Sequence, residues 1–254
     1  MTGSEVLKTR AGAFRHEHLD TVQSTNSELM QRARNGDPGA LWLTASRQLS
    51  GRGRRGRGWM SERGNLYASL LLIDPAVQSQ TGSLPLVAAN AVERAIAASL
   101  PGLTRITSIK WPNDVLIEGR KVSGILLEAE RLADGRLAVV IGIGVNVSIC
   151  PDSAPYPVAR LSDYAAGADA SMLFARLFET MSEELAIWDK GAGVSHTVER
   201  WRRAAHGIGE RITVNLPNAQ VRGRFSGIDD DGMLRLETDE GTRMFAAGDV
   251  FFDN

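Results

Sequence analysis

Residues 106–147 read ITSIKWPNDVLIEGRKVSGILLEAERLADGRLAVVIGIGVNV, and the fold turns on this run. Apolar and β-branched residues group into strand-like segments at Ile106 to Trp111, Val115 to Ile117, Val122 to Glu130 and Leu137 to Val147. Glu118-Gly119-Arg120-Lys121 and Ala133-Asp134-Gly135 carry turn chemistry between them, so the spacing predicts hairpins in one sheet. Gly142 and Gly144 interrupt the last segment. Glycines there fit a close approach by a ligand or simply tight strand packing, and the segment alone leaves both open.

Outward from this run, helices and strands alternate. Leu84 to Leu100 is Ala-rich with Leu86, Val87, Val92 and Ile96 at helical spacing, and Pro101-Gly102 ends it. Thr25 to Ala33 predicts a helix with Thr25 and Glu28 as a capping box, ended by Gly36-Asp37-Pro38-Gly39. Phe14 to Val22, Leu41 to Ala45 and Leu66 to Ile73 predict strands; Ser171 to Trp188 and Thr197 to Ala205 predict helices. Beyond Arg211 the pattern changes to short β-runs at Ile212 to Leu216, Val221 to Gly227, Met233 to Glu237 and Thr242 to Ala246, the spacing of a small barrel. A boundary near His206 divides the chain into residues 1–205 and 206–254, with residues 1–13 expected to be flexible.

Composition narrows the function classes. A hydrophobic share of 43% and a charged share of 23% over 254 residues give a globular chain with a sizeable core. A net charge of −1 argues against a chain that acts as a whole on nucleic acid or an anionic membrane. No apolar run reaches the roughly 18 residues of a membrane span. Met1 to Phe14 lacks a secretory apolar core, and the lone Cys150 cannot form an intrachain disulfide. A cytoplasmic location is expected.

Four segments carry chemistry. Gly51 to Gly58 places four arginines and four glycines in eight positions. Glycines let backbone approach an anion, and guanidinium forks match phosphate and carboxylate. The segment fits a mobile anion-binding loop, an RNA-binding arginine-glycine tract or a solvated charge run; the acidic overall balance weighs against RNA. It lacks the Gly-Lys-Ser/Thr ending of a P-loop. Lys110-Trp111-Pro112-Asn113-Asp114 and Lys121 to Glu128 put two lysines at the ends of one hairpin, suited to a phosphate or carboxylate, or simply to an exposed surface turn. Asp114 is a candidate hard-oxygen ligand for magnesium. Gly142 to Val147 is the third segment. Ser24-Thr25-Asn26 is the fourth, where helix capping accounts for Thr25. His16, His18, His196, His206 and Cys150 show no metal-ligand spacing and read as structural.

The order of these segments, from Ser24-Thr25-Asn26 through Gly51 to Trp59, Lys110 to Asp114 and Lys121 to Gly124 to Gly142 to Val147, resembles the catalytic domain of biotin protein ligases. The resemblance is close over Phe14 to Cys150 and looser through a C-terminal part similar to the family's SH3-like barrel. It implies an α+β fold: a mixed β-sheet with helices packed on it, of the class II aminoacyl-tRNA synthetase and biotin ligase kind, then the barrel. It also implies an ATP-dependent ligase that forms biotinyl-5′-AMP with magnesium and passes biotin to a lysine of a biotin carboxyl carrier domain.

By the same resemblance, Ser24, Thr25 and Gln48 would bind the biotin head group with Asn26 close by, and Gly124 would line the biotin slot. Arg52, Arg54, Arg55 and Arg57 would lie on a loop closing over biotin and the adenylate, Arg52 and Arg54 nearest. Trp59 would pack by the adenine, Lys110, Asn113 and Asp114 would belong to the ATP and magnesium region, and Asn146 would contact the nucleotide. Lys121, Arg52 and Lys110 would act on the developing charge, Lys121 at the biotin carboxylate and α-phosphate. The N-terminal extension is too short for the DNA-binding domain of some relatives, so no DNA function is expected. Leu137 to Val147 offers a strand that could extend a sheet in a homodimer. A lipoate or octanoate ligase, and a nucleic-acid-binding module built on the arginine loop, are the competing readings.

Overall fold

The computed structural model describes residues 5–9 and 12–252. An eight-stranded sheet runs in the order β1-β2-β3-β4-β8-β7-β6-β5. Its strands are β1 (Glu5–Thr9), β2 (Gly12–Val22), β3 (Leu41–Gln48), β4 (Leu66–Ile73), β5 (Thr107–Lys110), β6 (Asp114–Ile117), β7 (Arg120–Arg131) and β8 (Leu137–Val145). β2 and β3 are parallel because α1 (Thr25–Arg34) carries the chain back between them; the other neighbours are antiparallel. The mixed α+β sheet expected from the sequence is the one observed.

The two faces of this sheet are covered differently, and side-chain alternation shows how. In β3, Trp42 points into the larger core while Leu41 and Leu43 point into a smaller one under α1. In β8, Leu137, Val139, Ile141, Ile143 and Val145 face the larger core, formed with α2 (Leu84–Ala98), α3 (Ala170–Trp188) and α4 (Val194–Ala204). Ala138 and Val140 face Leu29, Met30 and Ala33 of α1. The next residues in that alternation are Gly142 and Gly144, so support under the α1 side stops where α1 begins.

The C-terminal unit is a five-stranded antiparallel sheet in the order β12-β11-β10-β9-β13. It comprises β9 (Arg211–Asn215), β10 (Gln220–Ile228), β11 (Leu234–Thr238), β12 (Gly241–Phe245) and β13 (Asp249–Phe252). This is the small SH3-like unit expected, with one strand more than the sequence predicts. β13 is four residues long and pairs with β9 rather than with its sequence neighbour β12, so no local pattern announces it. Ile212, Val214, Phe225, Leu236 and Val250 join the larger core. The two units therefore share buried surface. They are also stitched by backbone: the His206 amide donates to the Ile109 carbonyl at 2.8 Å.

Two expectations change. Glu5–Thr9 pairs antiparallel with β2, Thr9 opposite Gly12, where a flexible arm is predicted; main-chain pairing needs no apolar pattern. The remainder of that expectation, residues 1–4, 10 and 11, lies outside the described residues. The cap of α1 is Ser24, not Thr25: Ser24 Oγ accepts from the Ser27 amide at 3.4 Å. Among the described residues no helix is long and apolar enough to cross a membrane.

Trp201 of α4 is fully buried in the shared core. Trp201→Ala is expected to lower unfolding free energy by about 3–5 kcal/mol, read from the urea midpoint.

Candidate active site

Gly142 and Gly144 floor a cleft of about 980 Å³, its open mouth included. Strand register sets Gly142 between Ser69 of β4 and Leu126 of β7, and Gly144 between Tyr67 and Gly124. What fills the missing side-chain positions is specific. A Cβ on Gly142 would lie 2.2 Å from Asn26 Oδ1, and one on Gly144 would lie 2.6 Å from Trp59 Nε1. The ring of Trp59 also passes 3.1 Å from where a Gly124 Cβ would sit. Close approach, rather than strand packing alone, is thus the reason for these glycines.

The N-terminus of α1 forms one end of the cleft. With Ser24 as the cap, the Thr25 hydroxyl is free to donate to Gln48 Oε1 at 3.1 Å, and its backbone N–H donates to the same oxygen at 2.9 Å. Ser69 Oγ lies 2.7 Å from Thr25 Oγ1 and 2.6 Å from Asn26 Oδ1. Asn26 Nδ2 donates to Glu128 Oε2 at 2.8 Å and to the Leu126 carbonyl at 3.2 Å. A buried amide and hydroxyls aligned this way present a fixed set of donors and acceptors to a small polar ligand.

The arginine loop covers the cleft as a closed lobe. Arg52 bridges to Gly58, and the Gly53 amide donates to the Arg57 carbonyl at 2.7 Å. Arg55 adopts φ 55° and ψ 30° at the tip. That left-handed conformation costs a non-glycine residue about 1–2 kcal/mol, so the surroundings must hold it. Arg52 donates to Glu128 at 3.0 Å and to Ser27 Oγ at 2.6 Å. Arg54 donates to Asn113 Oδ1 at 3.0 Å and to the Gly248 carbonyl at 3.2 Å. Burial pushes the Arg54 guanidinium down from its ordinary value, the attraction of Asp249 partly offsetting it. Arg55 and Arg57 both reach Asp249, at 3.0 and 3.1 Å.

The two lysines close the other side. β5 and β6 set Lys110 opposite Asp114, and Lys121 Nζ lies 2.7 Å from Asp114 Oδ1. Lys121 Nζ also stands 5.5 Å from the Trp59 ring and 5.1 Å from the Tyr156 ring. Lys110 Nζ sits 5.5 Å from the Phe252 ring and 5.7 Å from that of Phe251. Burial lowers the Lys110 pKa; Asp114 pulls it up and Lys121 pushes it down again. Both ammonium groups stand against aromatic rings, and Lys121 is also ion-paired with Asp114. The indole N–H of Trp59 is buried with no acceptor, which leaves a donor for a ligand.

Ser24, Thr25, Asn26, Gln48, Arg52, Arg54, Arg57, Trp59, Lys110, Asn113, Asp114, Lys121 and Gly124 all line this one cleft. Arg55 and Asn146 do not. Arg55 points to the C-terminal unit. Asn146 is buried, and its amide donates to the Ala159 carbonyl at 3.1 Å, fixing the chain after the proline-rich loop. The structure adds Tyr156, Asp249, Val250 and Phe251. Tyr156 arrives because the Lys121 amide donates to the Pro157 carbonyl at 2.9 Å; nothing local in the sequence signals that pairing. His16 and His18 bond Thr44 and Ser46, as structural histidines would. Among the described residues no cluster of three or more His, Cys, Asp or Glu could hold a metal ion.

Residues 19–146 match the biotin/lipoate A/B protein ligase family, and residues 207–253 match the biotin protein ligase C-terminal domain. The biotin–[acetyl-CoA-carboxylase] ligase of Paracoccus denitrificans is 35% identical over 243 residues, covering 92% of this chain and 99% of the relative. The ligase of the same name from Mycobacterium tuberculosis is 35% identical over 91% of this chain and 88% of its own length. A solved biotin protein ligase from Aquifex aeolicus, in complex with biotin and ATP, superposes with a TM-score of 0.78 at 27% identity, covering 94% of this chain and 98% of that one.

The glycine floor and the half-buried Lys110 each make a test. Gly142→Ala is expected to cost about 1–3 kcal/mol of stability, because Asn26 must leave its Ser69 and Glu128 bonds. Gly58→Ala, with nothing within 4 Å of its new Cβ, should stay within about 0.5 kcal/mol. Thermal melts of both decide it. For Lys110, a folded-state pKa below the unfolded one means the folded chain binds fewer protons. Its charge therefore opposes folding below the folded pKa, and this cost fades as pH rises toward about 10.4. Lys110→Met should accordingly stabilise the unliganded chain at neutral pH, with the gain shrinking in alkaline solution; a gain that does not depend on pH would refute the burial cause.

Proposed function

The chain belongs to the biotin/lipoate A/B protein ligase family, and on that premise we propose that it is a biotin–[acetyl-CoA-carboxylase] ligase. It activates biotin with ATP and transfers it to a lysine of a biotin carboxyl carrier domain. The observation that carries this reading is the convergence of Arg52, Arg54, Lys110 and Lys121 with the Thr25–Gln48–Asn26 network on a single cleft.

Chemistry follows from that placement. The biotin carboxylate is ionised at neutral pH, so its attack on the α-phosphate needs no base. The barrier is repulsion between an anion and a polyanion. Lys121, half-buried against Trp59 and Tyr156, would offset the charge of the carboxylate and α-phosphate. Lys110 and Arg54 lie on the Asp249 side of the cleft for the remaining phosphate charge. The P–O bond to the β-phosphate breaks and pyrophosphate leaves. Magnesium, when bound with the nucleotide, would be held by Asp114 together with phosphate oxygens and would neutralise phosphate charge. Ser24, Thr25, Gln48 and Asn26 orient the uncharged head of biotin, and Trp59 and Gly124 wall its slot.

The product is a mixed anhydride that water destroys, and the arginine lobe over the cleft excludes water. In the second step the carrier lysine attacks the acyl carbon, the C–O bond to AMP breaks, and the amine loses a proton. Asp114, at the cleft, is a candidate acceptor for that proton. The reaction is placed in the cytoplasm, with ATP and the carrier.

Lipoate and octanoate ligases share the family of residues 19–146. The match of residues 207–253 to the biotin protein ligase C-terminal domain favours biotin. A nucleic-acid-binding role for the arginine loop is disfavoured because its guanidiniums are paired to Glu128, Asn113 and Asp249 around a cleft.

Incubation with ATP, magnesium, a carrier domain and either biotin or lipoate tests the assignment by intact mass of the carrier. Addition of biotin alone is expected; labelling by lipoate instead would overturn it. Lys121→Ala should slow pyrophosphate release by about a hundredfold or more while leaving the fold intact by circular dichroism.

A further inference from the structure

We infer that Asp249 is a positioning residue that latches the arginine loop to the C-terminal unit. It acts through Arg55 and Arg57 and so sets how well the loop stays closed. One carboxylate receives Arg55 at 3.0 Å and Arg57 at 3.1 Å, with Arg54 at 3.8 Å. Two carbonyls of the same unit add to it: Asn215 accepts from Arg55 at 3.4 Å and Gly248 from Arg54 at 3.2 Å.

The anchor is rigid. Asp249 pairs with Asn215 in the β13–β9 ladder, and its neighbour Val250 is in the core. Its side chain is only 15% exposed, whereas those of Arg55 and Arg57 are 41% and 53% exposed. The arrangement is therefore a nearly buried anion gripping the exposed side chains of a glycine-rich loop. The Arg55 backbone, left-handed at the tip, is held from outside the loop by these contacts. Without an anion among them, three guanidiniums at this spacing would repel one another and favour an open loop. Asp249 supplies that anion before any phosphate arrives, so the loop is folded in advance rather than assembled by the substrate.

Hydrogen exchange on the full unliganded chain tests this without reference to catalysis. Asp249→Asn should speed amide exchange over residues 52–58 by about fivefold to tenfold, the range expected for losing a shared ion-pair cluster. β4 should keep its protection. Arg55→Gln, exposed and outside the cleft, should give about a twofold to threefold rise in the same amides, and it decides the question should Asp249→Asn not fold. Loop exchange equal to that of the unaltered chain, in whichever variant folds, overturns the latch; so does a rise shared equally with β4. The consequence for chemistry rests on the ligase reading: Asp249→Asn should shorten the time the protein retains biotinyl-adenylate by about fivefold. A chain that makes no adenylate at all would sink the ligase reading, while the exchange comparison still judges the latch.

Discussion

Close approach to a bare strand surface is the constraint on which the rest depends. Gly142 and Gly144 leave one face of β8 without side chains at the point where α1 begins. Asn26 lies on the first gap and Trp59 on the second. Any β-carbon there would displace the residues that shape the cleft. The same strand is fully apolar on its other face, with Ile141, Ile143 and Val145 buried in the main core. One strand thus serves two purposes by alternation: side chains on one side fix the sheet, and their absence on the other makes room for a ligand.

Charge is the second organising force. The cleft gathers cations from three separate segments, the arginine loop, β5 and β7, which in isolation would repel. Anions and rings hold them: Arg52 by Glu128, Lys121 by Asp114, Arg57 by Asp249, Lys110 by the phenyl rings of β13. These partners hold the positive groups in place, so that a phosphate or carboxylate meets a preorganised field. Burial of Arg54 and Lys110 strengthens this field and makes each charge costlier to keep.

The C-terminal unit belongs to this arrangement. Its core is continuous with that of the larger unit, its last strand lines the cleft, and the Gly232 carbonyl accepts from Trp111 Nε1 at 3.2 Å within the Lys110 to Asp114 motif. A barrel placed here bears on both the lysine hairpin and the arginine loop.

Most of the sheet was legible because its strands are apolar runs bounded by glycine turns, and α2 because its apolar spacing is regular. The cluster of arginines, the two lysines and the glycines were legible as chemistry by residue type, and their order along the chain by resemblance. The cap of α1 lies one residue before the expected Thr25, since Ser24 and Thr25 can both cap a helix and the bonds of Thr25 to the distant Gln48 and Ser69 leave that place to Ser24. The carbonyl that accepts from Asn146, that of Ala159, comes from a loop that returns later in the chain, a pairing that no local pattern announces. By itself, then, the sequence determined the elements, the charged groups available and the family. Tertiary structure alone decided which groups share the cleft, and it brought in Tyr156 and Asp249. The physical reason is that periodicity and turn chemistry act over a few residues, whereas Asp249 meets Arg55 across 194 positions through the pairing of β13 with β9.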